Sequence, residues 1–189
     1  MKSKNFLLVS LFVLGFGVAN AQEVAKGDKI VNLGVGLGTA LYSGGYNNST
    51  IPPVSASLEV VIKDDLFDGQ GAIGVGGYLG YSAFKSKYSY AGNTYGWKYS
   101  NIIIGPRGYL HYSLIDKLDT YAGAMLGYWI NSNKEYGTIQ SGYSAGSYGG
   151  VIFSGFVGAR YFFNDNVAGM VELGSGIAYL NLGVALRLK

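Results

Sequence analysis

The sequence contains no cysteine, a single histidine and only three prolines. Without cysteine the chain forms no disulfide and offers no thiolate nucleophile, and one histidine is too few for a zinc site built on His and Cys ligands. Charged residues make up 13% of the chain, about half of the share in a typical soluble domain. These shortages exclude a disulfide-stabilised secreted fold and a structural zinc domain, and they argue against an ordinary soluble protein.

Long apolar runs are also scarce, and the longest lies at the N-terminus. Two lysines precede the apolar run Phe6–Val18, which ends at the small residues Ala19–Ala21. This arrangement is typical of a secretory signal peptide, and the run is too short for a helix to span a bilayer at ~1.5 Å per residue. We therefore predict a signal peptide over residues 1–21 and a mature chain over residues 22–189. No cysteine follows the cleavage site, which argues against a lipoprotein.

Neither sign of charge dominates the mature chain. Without the two lysines of the leader, 12 basic side chains face 11 acidic ones. Binding to nucleic acid requires a basic surface, which a nearly neutral chain does not indicate. We therefore predict that the protein has no nucleic-acid partner.

The abundant residues are glycine and tyrosine, with 31 and 17 copies, and they occur in segments where apolar and small or polar side chains alternate. In the segment 178–188 the even positions are aliphatic, whereas the odd positions carry Tyr, Asn, Gly, Ala and Arg. A period of two indicates a β-strand, and a run of this length is typical of a strand that faces lipid on one side. We predict an all-β fold, an eight-stranded antiparallel transmembrane β-barrel over residues 22–189. Its strands should lie near residues 29–42, 53–63, 70–84, 97–112, 119–131, 149–163, 167–174 and 177–188.

The predicted connections alternate between long and short. This is the pattern of outer-membrane barrels, which have long extracellular loops and short periplasmic turns. A final tight turn at Gly174–Gly176 breaks the alternation. The long connections are Ser43–Pro52, Lys85–Gly96 and Ser132–Tyr148, and the short ones are Asp64–Gly69, Ser113–Leu118 and Asn164–Asn166.

The alternation directs Glu59, Glu172 and all three arginines of the chain into the barrel. An ion in a narrow interior loses its hydration and needs hydrogen bonds or an opposite charge in exchange. We therefore predict an interior polar network that acts as a structural plug, with a gate for a narrow, porin-like channel as the alternative. Its members are Arg107, Arg160, Arg187, Glu59, Glu172, His111, Tyr109, Tyr121 and Tyr179.

The long connections are rich in tyrosine and glycine. Such loops are either flexible spacers or a contact surface for an extracellular ligand or protein. We predict that they form the outer surface of a monomer whose main partner is the lipid of the outer membrane. The tyrosines concerned are Tyr88, Tyr90, Tyr95, Tyr136, Tyr143 and Tyr148.

Several segments resemble the small outer-membrane β-barrel proteins, the porin-like or outer-membrane-protein β-barrel domains. The resemblance rests on Gly158–Asn166, Glu172–Gly174, Leu180–Gly183 and Asp119–Gly127, and it extends over essentially the whole mature chain. It implies the outer membrane of a Gram-negative bacterium and carries no catalytic signature. The chain departs from many such barrels at its end, because Leu186–Lys189 contains no aromatic residue.

One motif suggests an enzyme. His111-Tyr-Ser113 has the His-x-Ser spacing of the outer-membrane lipid A deacylases, in which a base activates a nucleophile beside it. The predicted topology, however, places the pair at the periplasmic end of the fourth strand, away from surface lipid. We therefore predict no enzymatic activity, no cofactor and no metal site, and we keep the deacylase as an alternative.

A soluble lipocalin is disfavoured because its charges would face outward.

Overall fold

The structure, a computed structural model, describes residues 24–38, 47–90, 93–137 and 146–188. These parts of the chain form eight antiparallel strands closed into a barrel, in which each strand pairs with its neighbour in sequence and the first pairs with the last. The predicted eight-stranded antiparallel barrel is therefore confirmed. The strands are β1 (Lys29–Leu37), β2 (Asn47–Leu66), β3 (Gly71–Tyr90), β4 (Asn93–Ile115), β5 (Leu118–Gly137), β6 (Ser147–Phe162), β7 (Val167–Gly174) and β8 (Leu180–Leu188).

The connections define two ends of the barrel. At one end, which we call the turn end, residues 67–70, 116–117 and 163–166 join the strands. Tight turns at this end are formed partly by residues with positive φ, among them Asp68 and Lys117. The opposite end, the loop end, carries the connection 175–179 and the remaining strand ends, which are Leu37, Asn47, Tyr90, Asn93, Gly137 and Ser147. The predicted signal peptide lies outside the described residues.

Strands β2 to β5 are longer than predicted, at 20, 20, 23 and 20 residues. Most of the predicted loop Lys85–Gly96 belongs to a paired hairpin, in which Tyr88 lies opposite Tyr95 and Tyr90 opposite Asn93. The predicted loop Ser132–Tyr148 likewise begins in β5 and ends in β6. The Gly, Ser and Tyr content of both segments suggested loops. Aromatic and hydroxyl side chains also form favourable cross-strand pairs, and this pairing extends the strands into the predicted loops.

The barrel is therefore asymmetric. Strands β1, β7 and β8 have only 9, 8 and 9 residues. β1 ends at Leu37, and residues 39–42 of its predicted range lie outside the described residues, whereas β8 begins at Leu180 and not at 177. At ~3.3 Å per residue and a tilt near ~40°, a strand of 20 residues is roughly 28 Å taller than a strand of 9. We call the loop-end parts of β3, β4 and β5, residues 83–90, 93–100 and 132–137, the tall wall.

The outside of the barrel is apolar. Leu33, Val35 and Leu37 on β1 are exposed, as predicted from the alternation, whereas the intervening side of the strand is buried. A continuous exposed aliphatic surface is the reverse of the arrangement in a soluble protein, and it is typical of a lipid-facing belt. No helix in the described residues is long and apolar enough to cross a membrane. Other exposed apolar side chains include Leu58, Val75, Leu79, Ile104, Leu110, Leu126, Val157, Leu173, Leu182 and Val184.

Candidate functional site

The arginine, glutamate and histidine side chains of the predicted network are buried inside the barrel. Arg160 and Glu59 are 0% exposed, and Arg107, His111, Glu172 and Arg187 are at most 4% exposed. Glycines on the inner face make room for them, since a Cβ at Gly74 would overlap the Glu59 carboxylate and one at Gly158 would overlap the Tyr121 ring. The interior thus combines large charged groups with residues that have no side chain.

Arg160 of β6 bonds to two carboxylates, one on the neighbouring strand β5 and one across the barrel on β2. Its Nη2 donates to Glu59 Oε2 at 2.8 Å, and its Nη1 donates to Asp119 Oδ2 at 2.9 Å. Its Nε donates to Asn32 Oδ1 at 3.0 Å, and Asn32 in turn donates to Ser57 Oγ. These contacts join β1, β2, β5 and β6 across the interior.

His111 of β4 completes this group, which we call the Arg160 cluster (Arg160, His111, Glu59, Asp119 and Asn32). Its Nδ1 lies 2.9 Å from Asp119 Oδ1, and its Nε2 bonds to Glu59 Oε1. A carboxylate only accepts hydrogen bonds, so two carboxylate partners suit an imidazolium that donates from both ring nitrogens. The cluster then contains two cations and two anions.

Arg107 and Glu172 form a second charged pair. Arg107 Nη1 lies 3.0 Å from each oxygen of the Glu172 carboxylate, and the Tyr121 hydroxyl donates to Glu172 Oε2 at 3.2 Å. The guanidinium is stacked between the rings of Tyr78 and Phe156, 3.8 Å and 4.2 Å from their centroids. Aromatic faces stabilise a guanidinium where water is excluded.

Tyr121 connects the two charged groups. Its hydroxyl bonds to Glu172, while its ring lies 4.2 Å from the guanidinium carbon of Arg160. Tyr109 packs in the same layer, with its ring 6.0 Å from that of Tyr121 and 5.3 Å from that of Phe156. The predicted tyrosines at 109 and 121 therefore contribute aromatic packing as well as polarity.

The third arginine lies nearer the turn end. Arg187 Nε is 3.5 Å from Asp28 Oδ2, and the guanidinium carbon lies 4.1 Å from the centroid of the Phe162 ring. Phe162 belongs to a small buried apolar cluster with Ile30, Val61 and Ala72. Arg187 is thus separate from the other two arginines and has its own acidic neighbour.

The structure brings together eight of the nine predicted residues in the interior, but not Tyr179. The side chain of Tyr179 is 52% exposed. The alternation assigned it to the inner face, whereas β8 begins only at Leu180 and the residues before it follow a connection without strand periodicity.

That connection fills the barrel at the loop end. Ile177 and Ala178 are consecutive residues with exposures of 0% and 1%, and they pack in one apolar cluster with Tyr78, Tyr109 and Phe156. The backbone N–H of Ile177 donates to the Tyr78 hydroxyl at 3.4 Å. An inserted turn therefore closes the space above the Arg107–Glu172 pair.

Sequence reasoning missed three members of the network: Asp119, Asp28 and Asn32. Asp119 lies in β5 at the same parity as Tyr121, so the alternation already placed it inside, but it stood at the predicted end of its strand. Asp28 precedes β1 and had no strand assignment. The register of the β5–β6 pair places Asp119 opposite Arg160. Asp28 and Asn32 meet arginines that are distant in sequence only because the barrel closes.

The geometry does not place a catalytic or metal centre in the described residues. Both ring nitrogens of His111 bond to carboxylates, which leaves neither of them to accept a proton from Ser113. Within the described ranges, no group of three or more His, Asp or Glu side chains is arranged to hold a metal ion.

No protein-family model and no curated protein matches this chain. Among solved structures, it is similar to the N-terminal β-barrel domain of Pseudomonas aeruginosa OprF, with 15% identity and a TM-score of 0.48 over 87% of this chain and 98% of that one. It is also similar to a de novo designed transmembrane β-barrel, with 19% identity and a TM-score of 0.45 over 88% and 100% of the two chains. A third similar structure is Yersinia pestis Ail in complex with the heparin analogue sucrose octasulfate, with 12% identity and a TM-score of 0.44 over 86% and 96%.

Proposed function

We propose that this protein is an integral outer-membrane β-barrel of a Gram-negative bacterium with a structural or surface-interaction role, and that its interior charges form a plug. The observation that carries the proposal is the charge balance of the buried network. Arg107, Arg160, Arg187 and a protonated His111 provide four positive charges among the described interior residues, and Glu59, Asp119, Glu172 and Asp28 provide four negative ones.

The outer surface supports insertion into a membrane. Along β3, the outward positions from Ile73 to Tyr81 face the same side as exposed leucines and isoleucines of the neighbouring strands. At ~3.3 Å per residue and a tilt of ~40°, the outward positions between Tyr112 and Ile102 on β4 span about 25 Å, the height of an outer-membrane apolar band. In water this surface would promote aggregation.

The geometry of the charges supports a plug over a channel. Arg107 and Arg160 hydrogen-bond to carboxylates, and Arg187 Nε lies 3.5 Å from Asp28 Oδ2. Aromatic rings lie over the guanidinium carbons of Arg107 and Arg160. A conducting pore needs charges that remain in contact with water, whereas these side chains are almost fully buried. Narrow eight-stranded barrels are filled in this way by their own side chains.

The remaining functional features belong to the loop end. Of the six tyrosines predicted to lie in loops, Tyr88, Tyr90, Tyr95, Tyr136 and Tyr148 lie in strands, and Tyr143 lies outside the described residues. We propose that this end, presented by a monomer, contacts an extracellular ligand or protein, and that the protein has no enzymatic activity. Tyr148 is 55% exposed, so its side chain is accessible for such a contact.

Fractionation tests the proposed location. The full chain, expressed in a Gram-negative host, should sediment with the outer membrane and have the mass of residues 22–189. A variant that lacks residues 2–21 should stay inside the cell. Recovery of the full chain as a soluble periplasmic protein would contradict the proposal.

Conductance in planar bilayers tests the plug. We expect the folded mature chain to insert and to give no reproducible single-channel steps. Steps of uniform size in the wild-type protein would instead support the narrow channel, and steps that appear only after Ile177→Gly would assign the closure to the inserted turn.

A further inference from the structure

We propose that a row of three lysines on the outer face of the tall wall binds the phosphate groups of lipid headgroups in the outer leaflet. The row consists of Lys85 on β3, Lys98 on β4 and Lys134 on β5. This inference rests on the proposed insertion of the barrel into a membrane, and it adds a specific lipid contact to that function.

The pairing register places the three lysines side by side. Lys85 lies directly opposite Lys98, and Lys98 lies directly opposite Lys134. Directly opposed residues of an antiparallel pair have Cβ atoms ~4.5–5.5 Å apart, and like charges in such positions repel each other. A row of three is therefore unfavourable unless an anion neutralises it.

The lysines point away from the barrel interior. On β3 the alternate residues Phe84 and Ser86 are buried, whereas Lys85 and Lys87 are exposed. Lys134 is exposed on β5, next to the half-buried Glu135, which has the parity of the inward-facing Asn131. The row thus continues the outer, lipid-facing surface and does not line the barrel mouth.

The depth of the row matches the headgroup region. The last apolar outward row is Tyr81, Ile102 and Ile130, and the next row in register contains the buried Ala83 with the half-buried Ser100 and Ser132. The lysines follow two residues later. Four residues at ~3.3 Å and a tilt of ~40° place them about 10 Å beyond the last apolar row, where the hydrocarbon core has given way to headgroups.

The surrounding sequence provides no acidic residue on this face. There is no Asp or Glu between Asp68 and Asp116, and Glu135 is the one acidic residue between Asp119 and Asp165. The ion pairs described above all involve Asp28, Glu59, Asp119 or Glu172, which lie inside the barrel. The charge of the row is therefore complementary to an external anion.

A lipid headgroup is the occupant that this position favours. The row adjoins the apolar belt, so the acyl chains of a bound lipid can lie on Tyr81, Ile102 and Ile130 while its phosphate meets the ammonium groups. Lysine binds phosphate as a compact charge, and basic residues near an anionic membrane surface each strengthen binding several-fold.

Lipid binding to the detergent-folded mature chain tests the proposal, with native mass spectrometry used to titrate phosphatidylglycerol against phosphatidylcholine. We expect the wild-type protein to prefer phosphatidylglycerol. The variant K85Q/K98Q/K134Q should lose this preference, by a factor on the order of a hundred if the three contributions add. The matched control is K26Q/K63Q/K117Q, which removes the same charge from exposed positions at the turn end and should retain the preference.

Three outcomes would overturn the proposal: an unchanged preference in the first variant, an equal loss in both variants, or full competition by inorganic phosphate at the same phosphate concentration. The last outcome would assign the row to free anions. If the triple variant does not fold, the single change Lys98→Gln in the centre of the row should still reduce the preference. Failure of the wild-type chain to fold in detergent, seen by circular dichroism, would instead reject the proposed membrane barrel.

Discussion

At the scale of single residues, the alternation of side chains carried most of the information about the interior. It predicted the inward direction of Arg107, Arg160 and Glu59, because a charged side chain on a lipid-facing strand is stable only on the inner face. It could not predict which charges meet. Asp119 is 41 residues from Arg160 in sequence and meets it through the register of the β5–β6 pair. Glu59 is 101 residues away and meets Arg160 only across the closed barrel.

Tyr121 and Tyr179 provide a direct comparison of an inward and an outward tyrosine. We expect Tyr121→Phe to lower the free energy of unfolding by about 1–2 kcal/mol, because the change removes a buried hydrogen bond to the Glu172 carboxylate. Tyr179→Phe should change it by less than about 0.5 kcal/mol, since the side chain is largely exposed. Urea unfolding of the barrel in lipid vesicles measures both. Equal effects would mean that Tyr121 does not support the network.

At the scale of elements, the existence and order of the eight strands were predictable, whereas their ends at the loop end were not. Residues 85–96 are rich in Gly, Ser and Tyr, and no local signal separates a loop of that composition from a paired hairpin. No local signal distinguished the turn 175–179 from a strand either. The alternation placed Ile177 in the eighth strand, but it belongs to a connection and is buried in the barrel.

The inserted turn can be tested through two glycines of β3. A Cβ at Gly80 would lie 2.7 Å from the Cβ of Ile177, whereas a Cβ at Gly77 would have nothing within 4 Å. We expect Gly80→Ala to lower the free energy of unfolding by about 1–3 kcal/mol, because the turn must move to avoid the overlap. Gly77→Ala should be neutral or slightly stabilising. The same urea titration measures both variants, and a neutral Gly80→Ala would show that the turn is not held against β3.

At the scale of the whole molecule, the interior, the outer belt and the tall wall differ in their charge. The charges of the interior network are balanced, the outer belt is apolar, and four lysines but a single glutamate lie among the residues of the tall wall. The account therefore assigns rigidity to the interior, insertion to the belt and contact with headgroups to the wall. The last assignment depends on the second, because the position of the apolar belt in the membrane fixes the depth of the tall wall.

The balance of the interior leads to the most direct test of this account, a comparison of breaking the Arg107–Glu172 pair with replacing it. Arg107→Met leaves a buried carboxylate without its cation, so we expect the free energy of unfolding to fall by about 3–5 kcal/mol. The double variant Arg107→Met with Glu172→Met removes both charges and should recover most of that loss. Lys117→Met, at an exposed turn, serves as the control and should have little effect.

The deciding measurement is the difference between the single and the double variant, obtained from urea unfolding in lipid vesicles. A large loss for Arg107→Met that the second substitution restores is the result predicted for a closed, charge-balanced plug. A single variant as stable as the wild type would show that water reaches Glu172, and it would contradict the central claim that the interior is sealed by its own charges.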